Sequence, residues 1–264
     1  MNTPIEHLHV FRLKWSELSS LTPDEKAGLS ILGFLVSEIN CLKRISLFAM
    51  FPHDPRSDLA PAINIQRNLI LRTITAKLFE FLRFVEKQLD KQLIETSVSR
   101  TIGKYAEEVE RFREGVGFRL ARLIRNKMAN HLDFEEARLS AENAQGIVEC
   151  SYYLTIANGN CYFPIGDEIV FASALHRAWK KSEEERLLNG SETEITFEKA
   201  LDAWIDWTLE LADLADRIHL ALFKEVVEPL VPTRMAQHKP VWVDSDLVGR
   251  HPGFRLPIFV RANE

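Results

Sequence analysis

A stripe of apolar residues with helical spacing, within residues 62–93, constrains the fold more than any other feature of the sequence. Ile70, Ile74, Leu78, Phe81 and Val85 follow one another at intervals of three or four residues, so they lie on one side of a helix. The stripe predicts a long helix with one buried face. Glycine and proline, at 11 each in 264 residues, are too few for a fold made mainly of turns.

A helix start is predicted at residues 22–25. Thr22 can cap a helix, Pro23 suits its first position and Glu25 can complete a capping box. These residues predict a helix that runs to about Phe51.

The second half of the chain carries the same helical signals. A helix is predicted from about Phe118, after a break at Gly115 and Gly117, and more helix over about 171–228. Within the last of these, the predicted buried face consists of Leu201, Trp204, Ile205, Leu209 and Ala212.

Residues 147–170 have a different character. An Asn158-Gly159 pair between two runs rich in β-branched and aromatic residues predicts a hairpin turn. That turn pairs apolar residues on one face. The predicted pairs are Ile156 with Cys161, Leu154 with Phe163, and Tyr152 with Ile165.

These patterns together predict a mainly α fold, a helical bundle of about five to seven helices with one inserted β-hairpin at about 147–170. Residues 229–264 are interrupted by prolines and predict an irregular tail. Without an internal repeat or a low-complexity linker, residues 1–264 are expected to form a single domain.

Composition narrows the function classes. The net charge of −5 gives no overall field that attracts nucleic acid. No run approaches the roughly 20 apolar residues of a membrane span, and the N-terminus lacks a signal-peptide pattern, so a cytoplasmic location without membrane contact is expected. Three scattered cysteines and eight histidines without ligand spacing predict no metal and no disulfide framework.

The local charge around "RNKMANH", residues 125–131, is positive, in contrast to the negative net charge of the chain. Residues 111–127 contain six cations and one anion, Glu114, and they lead directly into this stretch. One interpretation is an ordinary helix end, where cations interact with the helix dipole by roughly 0.3–1 kcal/mol. If the helix continued through His131, this side chain would lie about 120° from Arg125 and on the apolar side. A histidine in that position favours a subunit interface, where a two-fold axis brings two copies together.

The run "IRNKMANHLD" resembles the signature of the HEPN superfamily: arginine, a polar residue, then histidine after four to six intervening positions. Five residues intervene here, and the Asn-Lys pair with Asp133 beyond the histidine is similar to the abortive-infection (AbiU-like) branch. The resemblance covers about 22–135 as a helical core, with the helices at about 171–228 completing it.

The resemblance implies a homodimeric, metal-independent RNA endonuclease of toxin or phage-defence type, without a cofactor. Its composite site would use Arg125, Asn126 and His131 for catalysis, and Arg119, Arg122 and Lys127 to bind the RNA backbone. Attack by the ribose 2′-hydroxyl would leave a 2′,3′-cyclic phosphate. The resemblance leaves open a cognate antitoxin as a second partner.

Two other readings remain open at the level of sequence. A non-catalytic helical dimer that binds RNA or a protein partner fits the negative net charge and the C-terminal third without an assigned role. A helical scaffold would show no salt-sensitive affinity for RNA.

Overall fold

The computed structural model describes most of the chain, and most of what it describes is helical. The described residues are 6–8, 13–49, 60–90, 95–128, 134–143, 152, 161, 163–190, 193–232 and 241–243. The helices are α1 (Pro23–Ala49), α2 (Ala60–Leu89), α3 (Ser97–Gly103), α4 (Ala106–Arg111), α5 (Gly115–Met128), α6 (Phe134–Asn143), α7 (Pro164–Asp167), α8 (Ala174–Leu188) and α9 (Phe197–Leu222). The predicted mainly α class is confirmed.

Shorter elements complete this description. Glu168–Ser173 and Phe223–Val227 are π-helical, and Trp15–Leu18 and Glu228–Leu230 are 3₁₀ turns. Strands β1 (Glu6–Leu8) and β2 (Val241–Val243) pair antiparallel, with Leu8 opposite Val241. Residues 241–243, within the segment predicted to be irregular, are therefore extended and paired.

The start of α1 follows the predicted capping box. The backbone N–H of Thr22 donates to Glu25 Oε2 at 2.9 Å, and the N–H of Glu25 donates to Thr22 Oγ1 at 3.2 Å. Glu25 also accepts hydrogen bonds from the hydroxyl and the backbone N–H of Ser97, at the start of α3. These bonds, above all the one from the Ser97 hydroxyl, lower the pKa of Glu25 to about 2.

The apolar stripe of α2 is confirmed as core. All five residues of the stripe are buried, and Leu78, Phe81 and Val85 have no accessible surface. Thr75, on the same helix, accepts a hydrogen bond from the indole N–H of Trp204 at 2.8 Å, which satisfies both buried polar groups.

The buried face predicted for α9 is right in part. Trp204 and Ala212 are buried, but Leu209 is 42% exposed. Leu209 lies on the side of the helix that also carries Asp206 and Asp213, both exposed, because 3.6 residues make one turn. The face that is buried instead runs through Trp207, Leu211, Leu214, Ala215 and Ile218.

The inserted hairpin is not supported. Ile165, predicted to pair with Tyr152, lies in α7, because Pro164 occupies the first position of that helix, where its fixed φ and missing N–H are best tolerated. The rings of Tyr152 and Phe163 stack at 4.0 Å. The Asn158-Gly159 turn lies outside the described residues.

Two compact units divide the chain, and each draws on three separate stretches. The first consists of Met1–Arg44, Lys77–Arg111 and Leu211–Arg255, and the second of Ile45–Ala76, Phe112–Glu210 and Leu256–Glu264. The second unit contains the whole of α5 and the stretch 125–131. Over the described residues, none of the helices combines the length and apolar character that a membrane crossing requires.

Candidate functional site

Helix α5 carries the predicted site, and its position depends on one close contact with α9. A Cβ on Gly117 would overlap the carbonyl oxygen of Ala203 and lie 2.7 Å from Trp207 Cβ. Gly117 is therefore a packing residue inside α5, not part of the predicted break. The break lies at Gly115 alone, where a φ of 82° suits only glycine and α5 begins.

The apolar side of α5 fixes its rotation. Leu120, Ala121 and Ile124 have no accessible surface, so they form the buried face of an amphipathic helix. The indole N–H of Trp207 donates to the carbonyl of Phe112, ahead of the helix, at 2.8 Å. With this side buried, the opposite side of α5 carries the cations.

Arg119, predicted to bind RNA, is engaged within the protein. Its guanidinium lies 2.5 Å from a carboxylate oxygen of Glu183 and 4.9 Å from the ring of Trp179, both on α8. The Arg119 side chain is only 23% exposed, and that of Glu183 only 3%. These contacts tie α5 to α8 and restrict Arg119 for any role toward a ligand.

Glu183 is the centre of this contact. Besides Arg119, it accepts hydrogen bonds from Arg186, with a shortest distance of 2.8 Å, and from the backbone N–H of Ile195 at 3.2 Å. Burial acts to raise the pKa of Glu183, but the hydrogen bonds from Arg186 and Arg119 outweigh it, so the net shift is downward. Sequence reasoning missed Glu183. The signal was an acidic residue four positions after Trp179 and three before Arg186, on a helix whose other buried residues are Leu175, Ala178 and Trp179.

Arg122, Arg125 and Asn126 are exposed, in contrast to Arg119. The guanidinium of Arg125 donates a hydrogen bond to the side-chain oxygen of Asn126 at 3.0 Å. The structure thus brings Arg125 and Asn126 together at the end of α5, on the solvent side. Exposed guanidinium groups with forked donors are suited to bind phosphate oxygens.

His131 and the side chain of Lys127 lie outside the described residues. Their predicted roles, and the meeting of two histidines across a subunit boundary, stay predictions. Helix α6 is the next described element after them. It contacts the π-helical segment Glu168–Ser173 and α8.

Among the described residues, no three His, Cys, Asp or Glu side chains are grouped as metal ligands. Comparisons of the chain with protein-family models, with curated proteins and with solved structures found no match.

Proposed function

We propose that the chain is a metal-independent RNA endonuclease of toxin or phage-defence type that acts as a homodimer. The observation that carries the proposal is the exposed group of Arg122, Arg125 and Asn126 at the end of α5, a few residues ahead of His131 in the chain. The HEPN-like signature has an arginine and a polar residue ahead of its histidine, and Arg125 and Asn126 match those two positions. The opposite side of the helix is buried, so the whole group is held to solvent.

The chemistry follows from the residue types. Cleavage by the ribose 2′-hydroxyl requires a base for its proton, an acid for the leaving 5′-oxygen, and a cation for the charge on the phosphorane. Histidine titrates near neutral pH and can serve as either the base or the acid. One His131 from each protomer supplies both, because a two-fold axis presents the same residue twice. Arg125 donates to the phosphorane oxygens, and Asn126 orients Arg125 through the hydrogen bond between them.

The roles proposed for the flanking cations differ. Arg122 is exposed and, with Lys127, contributes to binding of the RNA backbone. Arg119 contributes least, because Glu183 already holds its guanidinium.

Cleavage of single-stranded RNA in buffer with excess EDTA tests the proposal. His131→Ala and Arg125→Ala are each expected to reduce the cleavage rate by about 10²–10⁴-fold. His176→Ala, an exposed histidine on α8, is the matched control and should cleave like the wild type. Thermal unfolding followed by circular dichroism checks that each variant folds.

Three outcomes would contradict the proposal. Products with a 3′-hydroxyl in place of a 2′,3′-cyclic phosphate would indicate a different reaction. Equal cleavage by His131→Ala would remove that residue from the mechanism. Salt-sensitive RNA binding without cleavage over long incubation would favour a non-catalytic RNA-binding protein.

Light scattering tests the proposed homodimer, which should give twice the chain mass of 30.4 kDa.

A further inference from the structure

An open cavity of about 420 Å³ lies in the second unit, and none of its lining residues belongs to α5. Ile65 of α2, Phe163 and the π-helical residues Val170 and Phe171 form apolar walls. The remaining lining residues are Arg72, Cys161, Gly166 and Asp167. The volume is in the range typical of sites for small molecules and nucleotide bases, which combine apolar walls with a few placed polar groups.

Two opposite charges are fixed within this cavity. The carboxylate of Asp167 accepts a hydrogen bond from the Asn68 amide at 2.7 Å and one from Arg72 at 3.3 Å. The Arg72 guanidinium lies 4.3 Å from the centre of the Phe171 ring. The two side chains are only 19% and 14% exposed, so both charges are held in one place.

This pair of charges selects for a neutral ligand. An anion would meet the Asp167 carboxylate, and a cation would meet the Arg72 guanidinium, at a site where neither charge is fully screened. A favoured ligand is instead flat and uncharged, and presents hydrogen-bond donors to Asp167 and an acceptor to Arg72. Each oxygen of Asp167 still has a lone pair for such donors.

We propose that the cavity binds a guanine base. Guanine has two adjacent donors, N1–H and the N2 amino group, for the two carboxylate oxygens of Asp167, and the O6 acceptor beside them for Arg72. On the corresponding edge, adenine, cytosine and uracil each have an acceptor at a position where Asp167 requires a donor. The apolar walls suit the faces of a purine ring, as in sites that read an unstacked base.

One wall of the cavity is contacted by the helix that follows the proposed RNase site in the chain. Helix α6, which follows the stretch 125–131 in the chain, contacts the π-helical segment that carries Val170 and Phe171. Guanine binding itself depends only on the cavity. Its role as a base-reading subsite for the RNA substrate rests on the proposed function.

Calorimetric titration of the full chain with guanosine, adenosine, cytidine and uridine tests the base preference. Guanosine is expected to bind about tenfold or more tightly than the other three nucleosides, because a two-point contact to a base edge discriminates by that order. Asp167→Asn should abolish the preference, since an amide offers one acceptor in place of two. Asp206→Asn, an exposed aspartate on α9, is the matched control and should keep it.

A second variant guards against a folding effect at the ion pair. Val170→Trp adds bulk at the cavity wall and keeps both charged residues, and should reduce guanosine affinity by about tenfold or more. Equal binding of all four nucleosides to the wild type, or an unchanged preference in Asp167→Asn, would overturn the proposal.

The exposed thiol of Cys161 gives an independent readout. Bound guanosine should slow alkylation of Cys161 by iodoacetamide, while Cys41, an exposed thiol on α1 outside the cavity, should react at an unchanged rate. Peptide mass spectrometry reads the two sites separately. Equal protection at both thiols, or at neither, contradicts binding in this cavity.

Two further ligands distinguish the source of the base. If the guanine belongs to RNA, the hexamer AAAGAA binds more tightly than AAAAAA and than GTP, with the difference lost in Asp167→Asn. Tighter binding of GTP than of the hexamer keeps the guanine site but overturns its role in reading RNA. If the wild type cleaves RNA in a His131-dependent way but does not bind guanosine, the cavity proposal is refuted and the RNase proposal is not. If the wild type binds guanosine but shows no His131-dependent cleavage, the RNase proposal is refuted and the cavity proposal is not.

Discussion

Arg119 and Arg122 are three residues apart on α5 and carry the same charge, but they differ in their contacts and in their exposure to solvent. Arg119 is paired with buried Glu183 and lies near the Trp179 ring, whereas Arg122 is exposed. The first turns of α5 are fixed by Gly117 and Arg119, and the last turns carry exposed donors. A basic cluster in a sequence is therefore not one functional unit, and each cation has to be assigned by the partner that it meets.

The strongest test of the fixed part is Glu183→Gln. The substitution leaves Arg119 and Arg186 beside a neutral amide in a buried position, and we expect the free energy of unfolding to fall by about 3 kcal/mol. Urea unfolding measures the change. Glu184→Gln, the exposed neighbour, is the control and should change stability by less than about 0.5 kcal/mol. Similar losses in the two variants would mean that Glu183 does not fix α5.

The next largest effect is expected for Gly117→Ala. The added Cβ must push α5 away from Ala203 and Trp207, at a cost of about 1–3 kcal/mol despite the better helix propensity of alanine. Gly103→Ala is the matched control, since nothing lies within 4 Å of its Cβ position, and should be neutral or slightly stabilising. Thermal and urea unfolding compare the two; a neutral Gly117→Ala would refute the close contact between α5 and α9.

A pair of variants tests the difference between the two arginines directly. Arg119→Met should lower the free energy of unfolding by about 1–2 kcal/mol, because Glu183 loses a charged hydrogen bond. Arg122→Met should change it by less than about 0.5 kcal/mol. In RNA-binding titrations, Arg122→Met should reduce the slope of log affinity against log salt by about one, with a smaller change for Arg119→Met. A larger loss of stability in Arg122→Met than in Arg119→Met, or a larger change of the salt slope in Arg119→Met, would contradict the difference between the two arginines.

The smallest effect concerns pH. Because the folded pKa of Glu183 lies below its ordinary value of 4.5, its contribution to stability is fully present above that value and is lost as the pH falls through the folded pKa. The stability gap between wild type and Glu183→Gln should therefore narrow between pH 5 and pH 3 in urea unfolding curves. A gap that stays constant over this range would mean that Glu183 does not titrate abnormally.

Local signals predicted those parts of the fold that local chemistry decides. The capping box of α1 and the stripe of α2 were right, because a cap or a buried face leaves its pattern within a few turns of one helix. Leu209 was predicted to be buried but lies on the exposed side of α9. Several apolar residues follow one another in α9, and only the packing partners decide which of them are buried.

Distant contacts account for what the sequence could not supply. Gly117 suggested a break when taken alone, and its role became clear only with Ala203 opposite it. Arg119 looked like its neighbours until Glu183, 64 positions along the chain, appeared beside it. The structure places Arg125 and Asn126 together on the exposed side of α5, and the catalytic roles predicted for them and for His131 stay predictions.

The π-helical segment Glu168–Ser173 joins α7 to α8 without interrupting the helix, and it holds one more residue than regular winding would. A π turn accommodates more residues than an α turn, so deleting a single residue there would return the helix to regular winding. The helices on either side would keep nearly the same relative direction, because the wide turn absorbs the extra residue, whereas a deletion in regular α-helix would swing one side by about 100° relative to the other. Asp167 would therefore still face α2 and Glu183 would still face α5, so this short stretch tolerates the loss of one residue better than the regular helix beside it does.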